Sequence, residues 1–384
     1  MKILSIGNDR SIFDEDAPIR ARLLEQASLV SELHVIVFTP RREKFKKLSL
    51  GNHLTIHPTS SAGKYTYLQD AYHIGKDILH KEKVGGIEKG HTKWLVTTQD
   101  PFEAGVLGYA LSRKFHIPLH LQLHTDPFSK AWQQEKFSNH IRFIVARFLL
   151  RRAASIRVVS ERTHRSVLAL GVPEERLTKV PIFVDVEKFA DAKPTFDLHQ
   201  SYSRYSQIIL SIGRLQPEKN YNGLIRAFAK VHKAHPETML LIVGSGPERD
   251  RLLSIARSLE IHEAVAILPW ARDVASYYKT CDIYVQPSLY EGWGMAVIEA
   301  MASGAPVVMS DVGCAGEVVR TEETGLVIKQ GSEEELVYAL DRLLSNNALR
   351  LKFSGNSLNE VKKLATKAQS LVLYLTSWEK AFLI

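Results

Sequence analysis

Short apolar runs rich in β-branched residues alternate along the chain with longer amphipathic segments. In the first half, the short runs lie at 2–7, 34–38, 54–58, 94–98, 119–123, 156–160 and 179–182. In the second half, they lie at 208–213, 239–244, 265–269, 282–286, 306–310 and 325–328. Between them, apolar positions recur at helical spacing, as at 19–32, 103–115, 221–235 and 333–345. This alternation predicts an α/β fold with parallel sheets covered by helices.

The alternation is interrupted once, across residues 185–206, where polar residues and a proline show no sustained period. We expect a domain boundary there. The prediction is two doubly wound, Rossmann-like domains, at 1–190 and 205–365. In such folds ligands bind at the carboxyl ends of the strands, so the two domains are expected to face a common cleft.

Charge is distributed unevenly between the two halves. The chain has 50 Lys and Arg against 42 Asp and Glu. Residues 1–190 hold 29 basic and 20 acidic residues, a net +9, and residues 191–384 hold 21 and 22, a net −1. The excess therefore belongs to the first domain, and it predicts an anionic partner on that side of the protein.

Cysteine content and hydropathy exclude several classes of protein. The two cysteines, Cys281 and Cys314, form no CxxC motif, which argues against a zinc cluster or a redox dithiol. The longest apolar candidate, at 143–150, is split by Arg147 and is far shorter than the roughly 18–20 residues of a membrane span. The apolar run after Met1 is too short for a signal peptide. These features predict a cytoplasmic protein.

Two glutamates in the segment 287–308 are the first candidates for chemistry. Glu291 lies in a turn with Gly292 and Gly294, and Glu299 lies in the helix that this turn opens. Eight helical residues span about 12 Å, so the two carboxylates would hold different parts of one extended ligand. The helix N-terminus offers N–H groups to an anion. The alternative is a plain strand-to-helix turn with two solvated glutamates.

Two cations follow the strand that ends at Gly213. Arg214 comes directly after it, and Lys219 stands five residues further on, before the next helix. An Arg fork and a Lys point charge at the carboxyl edge of a sheet suit a diphosphate. Solvated loop cations are the alternative.

Taken together, these segments resemble the nucleotide-sugar-binding half of the family 4 glycosyltransferases, glycosyl transferases group 1. The resemblance rests on EGWGMAVIEAMASGAPVV (291–308), GRLQPEKN (213–220), IVGSGPER (242–249), YYKTCDIYVQPS (277–288) and ETGLVI (323–328). Weaker similarity extends through DPFEAG (100–105), HLQLHTD (120–126) and VPIFVDVEKF (180–189). The resemblance implies the GT-B fold, in which the last helix, here 368–384, packs back on the first domain.

It also implies an activity, the transfer of a hexose of mannose or glucose type with retention of configuration. The donor would be a GDP-, UDP- or ADP-linked sugar. The acceptor would be a glycan or a lipid-linked glycan in cell-surface polysaccharide or glycolipid synthesis.

The resemblance further implies roles for individual residues. Arg214 and Lys219, after Gly213, would hold the donor diphosphate, and Glu299 would accept hydrogen bonds from the ribose. Residues that would hold the transferred sugar are Glu291 and the backbone of Gly292, Trp293, Gly294 and Met295. His124 would lie at the sugar, with Asp126 close by.

No metal or other cofactor is expected. The charge that develops on the departing nucleotide diphosphate would be stabilised by Arg214, Lys219 and the helix N-terminus. Asp14 and Asp16 form an Asp-x-Asp pair, which we interpret as solvated loop acids. No second acid is evident beside Glu291, so we expect front-face attack, with the leaving phosphate oxygen deprotonating the acceptor.

One segment departs from the family pattern. Family members commonly carry a glycine-rich loop after the first strand, whereas this chain has NDRSIFDEDAPIR at 8–20. Acceptor handling is therefore expected to differ.

Other functions fit the sequence less well. A dinucleotide fingerprint at 244–249 fails at its third position, where Arg249 stands. A nucleotide-sugar epimerase of the same architecture, or a non-catalytic sugar-binding protein, remains an alternative. No nucleic-acid-binding signature is present, so no nucleic-acid partner is expected.

A basic amphipathic segment at 130–157 suggests a peripheral contact with the inner face of the cell membrane. It interleaves arginines with Trp132, Phe137, Phe143 and Phe148. Such a helix can lie on an anionic surface. An ordinary packed helix is the alternative.

Overall fold

The computed structural model describes residues 1–84 and 93–383. Its strands are β1 (Lys2–Gly7), β2 (Glu32–Val37), β3 (Leu48–Leu50), β4 (Leu54–Pro58), β5 (Trp94–Thr98), β6 (Leu119–Leu123), β7 (Ser155–Val158), β8 (Leu177–Lys179), β9 (Gln207–Ile212), β10 (Thr238–Val243), β11 (Val265–Leu268), β12 (Ile283–Gln286), β13 (Val307–Ser310) and β14 (Leu326–Ile328).

Its helices are α1 (Pro18–Ala27), α2 (Tyr67–Val84), α3 (Glu103–Phe115), α4 (Lys130–Glu135), α5 (Phe137–Leu150), α6 (Glu161–Leu168), α7 (Val186–Ala190), α8 (Leu198–Ser201), α9 (Tyr221–Ala234), α10 (Arg249–Ser258), α11 (Val274–Thr280), α12 (Met295–Ala302), α13 (Glu333–Leu344), α14 (Asn347–Val361) and α15 (Lys367–Glu379). Short 3-10 turns lie at Arg10–Phe13, Arg41–Glu43, Lys64–Thr66, Glu174–Arg176, Pro217–Lys219 and Lys380–Phe382.

The chain divides into two compact units. Unit 1 consists of Met1–Pro181 together with Lys367–Ile384, and unit 2 consists of Ile182–Thr366. Each unit is built around one sheet. The α/β prediction, with one parallel sheet in each half of the chain, is confirmed.

The sheet of unit 1 has the strand order β3-β4-β2-β1-β5-β6-β7-β8. Adjacent strands of this sheet pair in parallel, except that β3 runs antiparallel to β4 at the edge. Successive side chains of β1 enter different cores, because a strand points alternate residues to opposite faces. Ile3 packs with residues of α1 and α15, whereas Leu4 and Ile6 pack with residues of α2, α3 and α5.

Helix α15 closes one face of the unit 1 sheet through buried polar contacts. His120 bridges Thr97 Oγ1 at 2.7 Å and Ser377 Oγ at 2.8 Å. Burial and the nearby Arg157 charge lower the pKa of His120 to about 3, so the ring is neutral at pH 7. The Arg157 guanidinium lies 4.2 Å from the centre of the Tyr374 ring. The end of the chain is thus part of the unit 1 core.

The sheet of unit 2 has the order β11-β10-β9-β12-β13-β14 and its neighbouring strands pair in parallel. The order reverses between β9 and β12, which are adjacent in the sheet but not in sequence. Such a switch point leaves a crevice at the carboxyl ends of the strands. Residues after β9 and β12 are therefore close together.

Some predicted elements are placed differently. The three-residue edge strand β3 was not predicted, because its residues, unlike those of the equally short β14, do not form a continuous apolar run. The strand predicted at 179–182 lies at Leu177–Lys179, before Pro181, which has no N–H for a ladder. The helix predicted over 19–32 ends at Ala27, where a turn at Ser28 leads into β2.

Most of the basic segment at 130–157 lies in α4 and α5, with its last residues in β7, and its four aromatic residues do not all share one face. Trp132 is buried and stacks on Phe102 with ring centres 5.2 Å apart. Phe143 packs edge-on against Phe128. In the described part of the chain, none of the helices is long and apolar enough to cross a bilayer.

We predict that Trp378 is a main support of unit 1. It is 1% exposed, and its indole N–H has no hydrogen-bond partner among the described residues. Trp378→Ala should reduce the free energy of unfolding by about 3–5 kcal/mol, because it leaves a large cavity. Trp378→Phe should cost much less, because it keeps most of the volume and removes the unpaired N–H. Urea unfolding of the full chain measures both, and equal losses would contradict this packing.

Candidate functional site

The turn after β9 sets the first part of the candidate site. A Cβ at Gly213 would lie 2.8 Å from the Tyr221 hydroxyl oxygen and 3.6 Å from Lys219 Cε. Glycine therefore lets the Lys219 side chain pass directly over the end of the strand. The sequence and the geometry agree in placing this turn at the carboxyl edge of the unit 2 sheet.

The two predicted phosphate-binding cations differ in their surroundings. The Arg214 side chain is 73% exposed, and its Nη2 lies 3.3 Å from Glu218 Oε1. The Lys219 side chain is only 17% exposed, and its Nζ lies 2.5 Å from Glu291 Oε1. Lys219 is thus fixed by an ion pair, whereas Arg214 is a surface side chain with rotational freedom.

Glu291 is held by three donors on one carboxylate oxygen. Besides Lys219 Nζ, Gln286 Nε2 donates to Oε1 at 3.0 Å and Ser288 Oγ donates at 2.9 Å. Gln286 ends β12, and Ser288 begins the loop that leads to Glu291. Sequence reasoning missed both residues, although they lie in the quoted motif YVQPS. Three hydrogen bonds compensate the loss of water around the half-buried carboxylate and orient it firmly.

The loop from Glu291 to α12 approaches a second loop closely. Gly313 has φ +55°, and a Cβ there would lie 2.4 Å from the Trp293 carbonyl oxygen and 3.1 Å from Glu291 Cβ. The Cys314 N–H donates to that same carbonyl at 2.9 Å. The sequence analysis did not single out Gly313.

Residues 292–295 present backbone to this edge of the sheet. Trp293 is 2% exposed, and its side chain belongs to the core. Gly294, with φ +98°, is the N-cap residue of α12, and the helix begins at Met295. The first N–H groups of a helix have no partner within it. The turn therefore presents backbone N–H groups at this edge, whereas the Trp293 indole is buried; anion binding by this turn stays a prediction.

Glu299 lies in the second turn of α12, beside a buried tyrosine. The Tyr278 hydroxyl donates to Glu299 Oε2 at 3.0 Å. Desolvation raises the pKa of Glu299, and the Tyr278 hydrogen bond and the Lys188 charge act in the opposite direction. One carboxylate oxygen is thus oriented by the protein, which is the arrangement expected of a residue that accepts hydrogen bonds from a ligand.

The remaining predicted residues lie in unit 1, after β6. Asp126 is buried, and its Oδ1 accepts a hydrogen bond from the Phe128 N–H at 3.0 Å. Desolvation raises the pKa of Asp126, while this bond and the Arg162 charge lower it. Asp126 therefore stabilises the turn that follows His124, and that is its clearest task in this structure.

His124 is exposed at the carboxyl edge of the unit 1 sheet. The low-dielectric protein beneath it and the charges of Arg157 and Arg22 lower its pKa below the ordinary value, so the imidazole is neutral at pH 7. The sequence did not point to Arg22. Among the described residues, Arg22 Nε is buried without a hydrogen-bond partner. A buried arginine nitrogen without a partner in this part of the chain therefore lies near His124.

The residues Asp14 and Asp16 lie in an exposed loop. Asp14 Oδ1 accepts a hydrogen bond from the Asp16 N–H at 3.2 Å, so the pair forms a local turn. Within residues 1–84 and 93–383, no group of three or more His, Cys, Asp or Glu side chains is placed to hold a metal ion.

We predict that Gly313 is required for the position of Glu291. Gly313→Ala should lower the free energy of unfolding by more than the about 1–2 kcal/mol of a left-handed alanine, because its Cβ also meets the Trp293 carbonyl. Gly316→Ala is the matched control, with φ +78° and no atom within 4 Å of its Cβ. Denaturant unfolding compares the two variants. Equal losses would contradict the close approach.

Two family models match this chain. The model described as glycosyl transferases group 1 matches residues 199–360, and the model described as glycosyltransferase family 4 matches residues 31–188. Together they cover both predicted halves. The unit 2 site residues, from Gly213 to Glu299, lie within the first match.

Curated relatives match over part of the chain. An uncharacterized glycosyltransferase of Haemophilus influenzae is 37% identical over 155 residues, 40% of this chain and 43% of that protein. The UDP-Gal:alpha-D-GlcNAc-diphosphoundecaprenol alpha-1,3-galactosyltransferase of Escherichia coli is 28% identical over 198 residues, 50% of this chain and 51% of that protein. The chain thus spans about half the length of the curated relatives it matches.

Among solved structures, sucrose-phosphate synthase from Thermosynechococcus elongatus superposes with a TM-score of 0.77. The match covers 100% of both chains at 22% identity, which establishes the fold. The structural match shows the GT-B fold, and the two family models show that this chain belongs to the glycosyltransferases described as glycosyl transferases group 1 and glycosyltransferase family 4.

Proposed function

We propose that this protein transfers a hexose from a nucleotide sugar to a glycan or lipid-linked acceptor, in the synthesis of a polysaccharide or glycolipid. The observation that carries the proposal is the Lys219–Glu291 pair at the switch point of the unit 2 sheet, beside the N-terminus of α12. It places an ammonium and a carboxylate, each half-buried, at the edge where ligands bind in this class of fold.

The cations serve the leaving group. When the bond between sugar and phosphate breaks, negative charge grows on the nucleotide diphosphate, and cations fixed beforehand stabilise that charge in the transition state. Lys219 uses one of its three N–H donors for Glu291, and the other two remain for phosphate oxygens. Arg214 is free to turn toward the diphosphate from the surface. No metal is required in this scheme.

The carboxylates serve the sugars. Glu291 Oε2 would accept a hydrogen bond from a hydroxyl of the transferred hexose. This oxygen has no hydrogen bond among the described residues, because all three donors reach Oε1. Glu299, oriented by Tyr278, would accept hydrogen bonds from the ribose hydroxyls. In unit 1, neutral His124 has one donor and one acceptor nitrogen and could bind a sugar hydroxyl.

We propose retention by front-face attack, in which a phosphate oxygen of the leaving group takes the acceptor proton. An ammonium and two further donors on Oε1 make Glu291 a weak nucleophile, because they stabilise the carboxylate form. A double displacement would require Glu291 or another acid to form a glycosyl ester. Isolation of a covalent glycosyl-enzyme would overturn this part of the proposal.

The name of one relative suggests which donor nucleotide and which acceptor class to test first. The name of the Escherichia coli protein specifies a UDP-sugar donor and a diphosphoundecaprenol-linked acceptor. The Arg22 guanidinium near His124 fits an acceptor that carries phosphate. We therefore place a UDP-sugar and a polyprenyl diphosphate-linked glycan first among the substrates to test, with GDP and ADP sugars after them.

One exposed face of α5 is apolar, which suits a protein whose acceptor lies in a membrane. Four large apolar side chains on this helix are exposed and recur at helical spacing, and we call them the α5 face: Phe137 (82%), Ile141 (55%), Ile144 (67%) and Phe148 (44%). Arg147, Arg151 and Arg152 follow at the end of the helix, all exposed. An apolar stripe flanked by arginines is typical of a helix that lies on an anionic membrane. We propose that the protein is peripheral on such a surface.

The first prediction concerns the donor site. A thermal-shift screen of nucleotide sugars should find a donor that stabilises the wild type and not Arg214→Ala or Lys219→Ala. With that donor, each variant should lose about 10²–10³ in kcat, as when one transition-state donor is removed elsewhere. Arg226→Ala removes an exposed arginine of α9 and should resemble the wild type. Epimer formation without transfer would instead favour an epimerase, and donor binding without turnover a sugar-binding protein.

The second prediction concerns the membrane. The wild type should co-sediment with phosphatidylglycerol-containing vesicles and lose binding as salt is raised, because salt screens the arginines. Replacing Phe137, Ile141 and Ile144 together by Ser should weaken binding roughly a hundredfold or more, since each loses its apolar transfer free energy. Tyr338→Ser with Leu351→Ser, two exposed positions of unit 2, is the control. Salt-independent partitioning, or equal binding of both variants, would contradict the proposal.

A further inference from the structure

A basic cavity lies at the edge of the unit 1 sheet opposite to His124. It has a volume of about 470 Å³, and its lining includes Arg113, Arg152 and Arg176. Two other lining residues, Leu119 and Ala154, stand at the amino ends of β6 and β7. Because these strands are parallel, their amino ends lie at one edge of the sheet and His124 follows the carboxyl end of β6. The cavity is therefore separate from the candidate site of glycosyl transfer. We call it the arginine pocket.

The three guanidinium groups are paired with no carboxylate in the described part of the chain, and Arg152 Nη1 donates to the Phe148 carbonyl at 3.2 Å. Among the described residues, no carboxylate oxygen lies within 4.0 Å of Arg113, Arg152 or Arg176. Arg176 Nε is buried and has no hydrogen-bond partner in the same part of the chain. A buried donor without a partner is unfavourable by about 1–3 kcal/mol, so a small movement of the Arg176 side chain that lets a ligand accept this bond would recover that free energy.

The pocket continues into more space of the same character. An adjoining cavity of about 430 Å³ shares Arg113 and Pro118 with it and adds His116 and Phe382 to the lining. The combined space is larger than a bare phosphate needs. A ligand with an anionic group and an attached polar or apolar portion fits it better than an inorganic ion does.

The pocket is continuous with the α5 face. Its lining residue Arg152 lies over the Phe148 ring, 3.6 Å from the ring centre. A second lining residue, Tyr109, meets the same ring edge-on with ring centres 5.7 Å apart. Phe148 is the last residue of the α5 face. An apolar surface thus ends directly at a cluster of three arginines.

We propose that the arginine pocket binds the phosphoryl group of an anionic phospholipid, whose acyl chains remain in the bilayer on which the α5 face lies. Guanidinium forks match phosphate oxygens with two parallel hydrogen bonds each, which a lysine cluster would not provide. The phosphoryl site stands on the pocket alone. Its assignment to a lipid rests in addition on the proposed membrane contact of α5.

Titrations with soluble probes test the site. The probes are inorganic phosphate and monomeric dihexanoylphosphatidylglycerol, measured by calorimetry on the full chain in an Arg214→Ala background, so that the donor site does not contribute. Arg113→Gln with Arg152→Gln removes two of the donors. Arg176→Lys retains the charge but not the fork, and it serves where Arg176→Ala does not fold. Arg42→Gln, an exposed arginine of unit 1, is the matched control.

The lipid should bind more tightly than phosphate, and the pocket variants should weaken both by about tenfold or more, as expected for the loss of a charge-assisted hydrogen bond. Arg42→Gln should bind as its parent does. Equal binding of phosphate and lipid, with both lost in the variants, would support the phosphoryl site and overturn the lipid. Binding that does not depend on the arginines would overturn both.

Vesicle and activity measurements separate this inference from the proposed function. The pocket variants should lose their preference for phosphatidylglycerol over phosphatidylcholine vesicles, whereas the triple Ser variant of the α5 face should lose binding to both. With a short soluble acceptor, the pocket variants should keep normal kcat. If no sugar transfer is found but the pocket still selects anionic lipid, only the proposed function fails. If transfer is found but the pocket variants bind anionic lipid as the wild type does, only the pocket proposal fails.

Discussion

One oxygen atom, Glu291 Oε1, joins three parts of unit 2. Lys219 comes from the turn after β9, Gln286 from the end of β12, and Ser288 from the loop before Glu291 itself. A half-buried carboxylate is stable only with such partners, and each partner is in turn fixed by it. The crevice at the switch point is therefore not an empty gap between strands. Its side chains are held in fixed positions by the Lys219–Glu291 ion pair and by the two neutral donors, Gln286 and Ser288.

In unit 1, the cationic side chains are placed differently from those of unit 2. The buried Arg157 donates to Gln122, Tyr374 and the Val180 carbonyl, so it stiffens the core and offers nothing to a ligand. His120 is kept neutral. In the described part of the chain, buried guanidinium nitrogens without a hydrogen-bond partner lie near the two edges of the sheet, at Arg22 Nε beside His124 and at Arg176 Nε in the arginine pocket. The excess charge of the first half is thus not spread evenly over a solvated surface; part of it is concentrated where an anion can reach it.

The fold could be read from the sequence because burial on both faces of a parallel strand produces a continuous apolar run. Helices such as α3 and α9 were placed within a residue because their apolar positions repeat over three turns or more. The strand β3 has three residues that form no continuous apolar run, so no local signal distinguishes it from a loop. The early end of α1 depends on the turn at Ser28, which its neighbours in the sheet determine.

The site was predictable in part. Arg214 and Lys219 were predicted as site residues because they follow the end of a parallel strand. Glu291 and Glu299 were predicted from the glycine-containing turn and the helix that it opens. The pairing of Lys219 with Glu291 links positions 72 residues apart, and sequence spacing carries no information about such a contact. The same holds for Gly313, whose closeness to Glu291 arises only when β13 and α12 are packed. Burial of Trp293 and Trp132 could not be separated from a surface role, since an aromatic residue suits both.

Helix α15 belongs to unit 1, although it follows unit 2 in the chain. During synthesis, residues 182–366 leave the ribosome as an uninterrupted stretch, whereas the core around Ile3, Leu33 and Leu95 lacks Trp378 until α15 emerges after them. Domains generally fold as units in the order in which they appear. Unit 1 is therefore completed only after residues 182–366 have been synthesised, and until then the face of its sheet that α1 packs against lacks the contribution of α15.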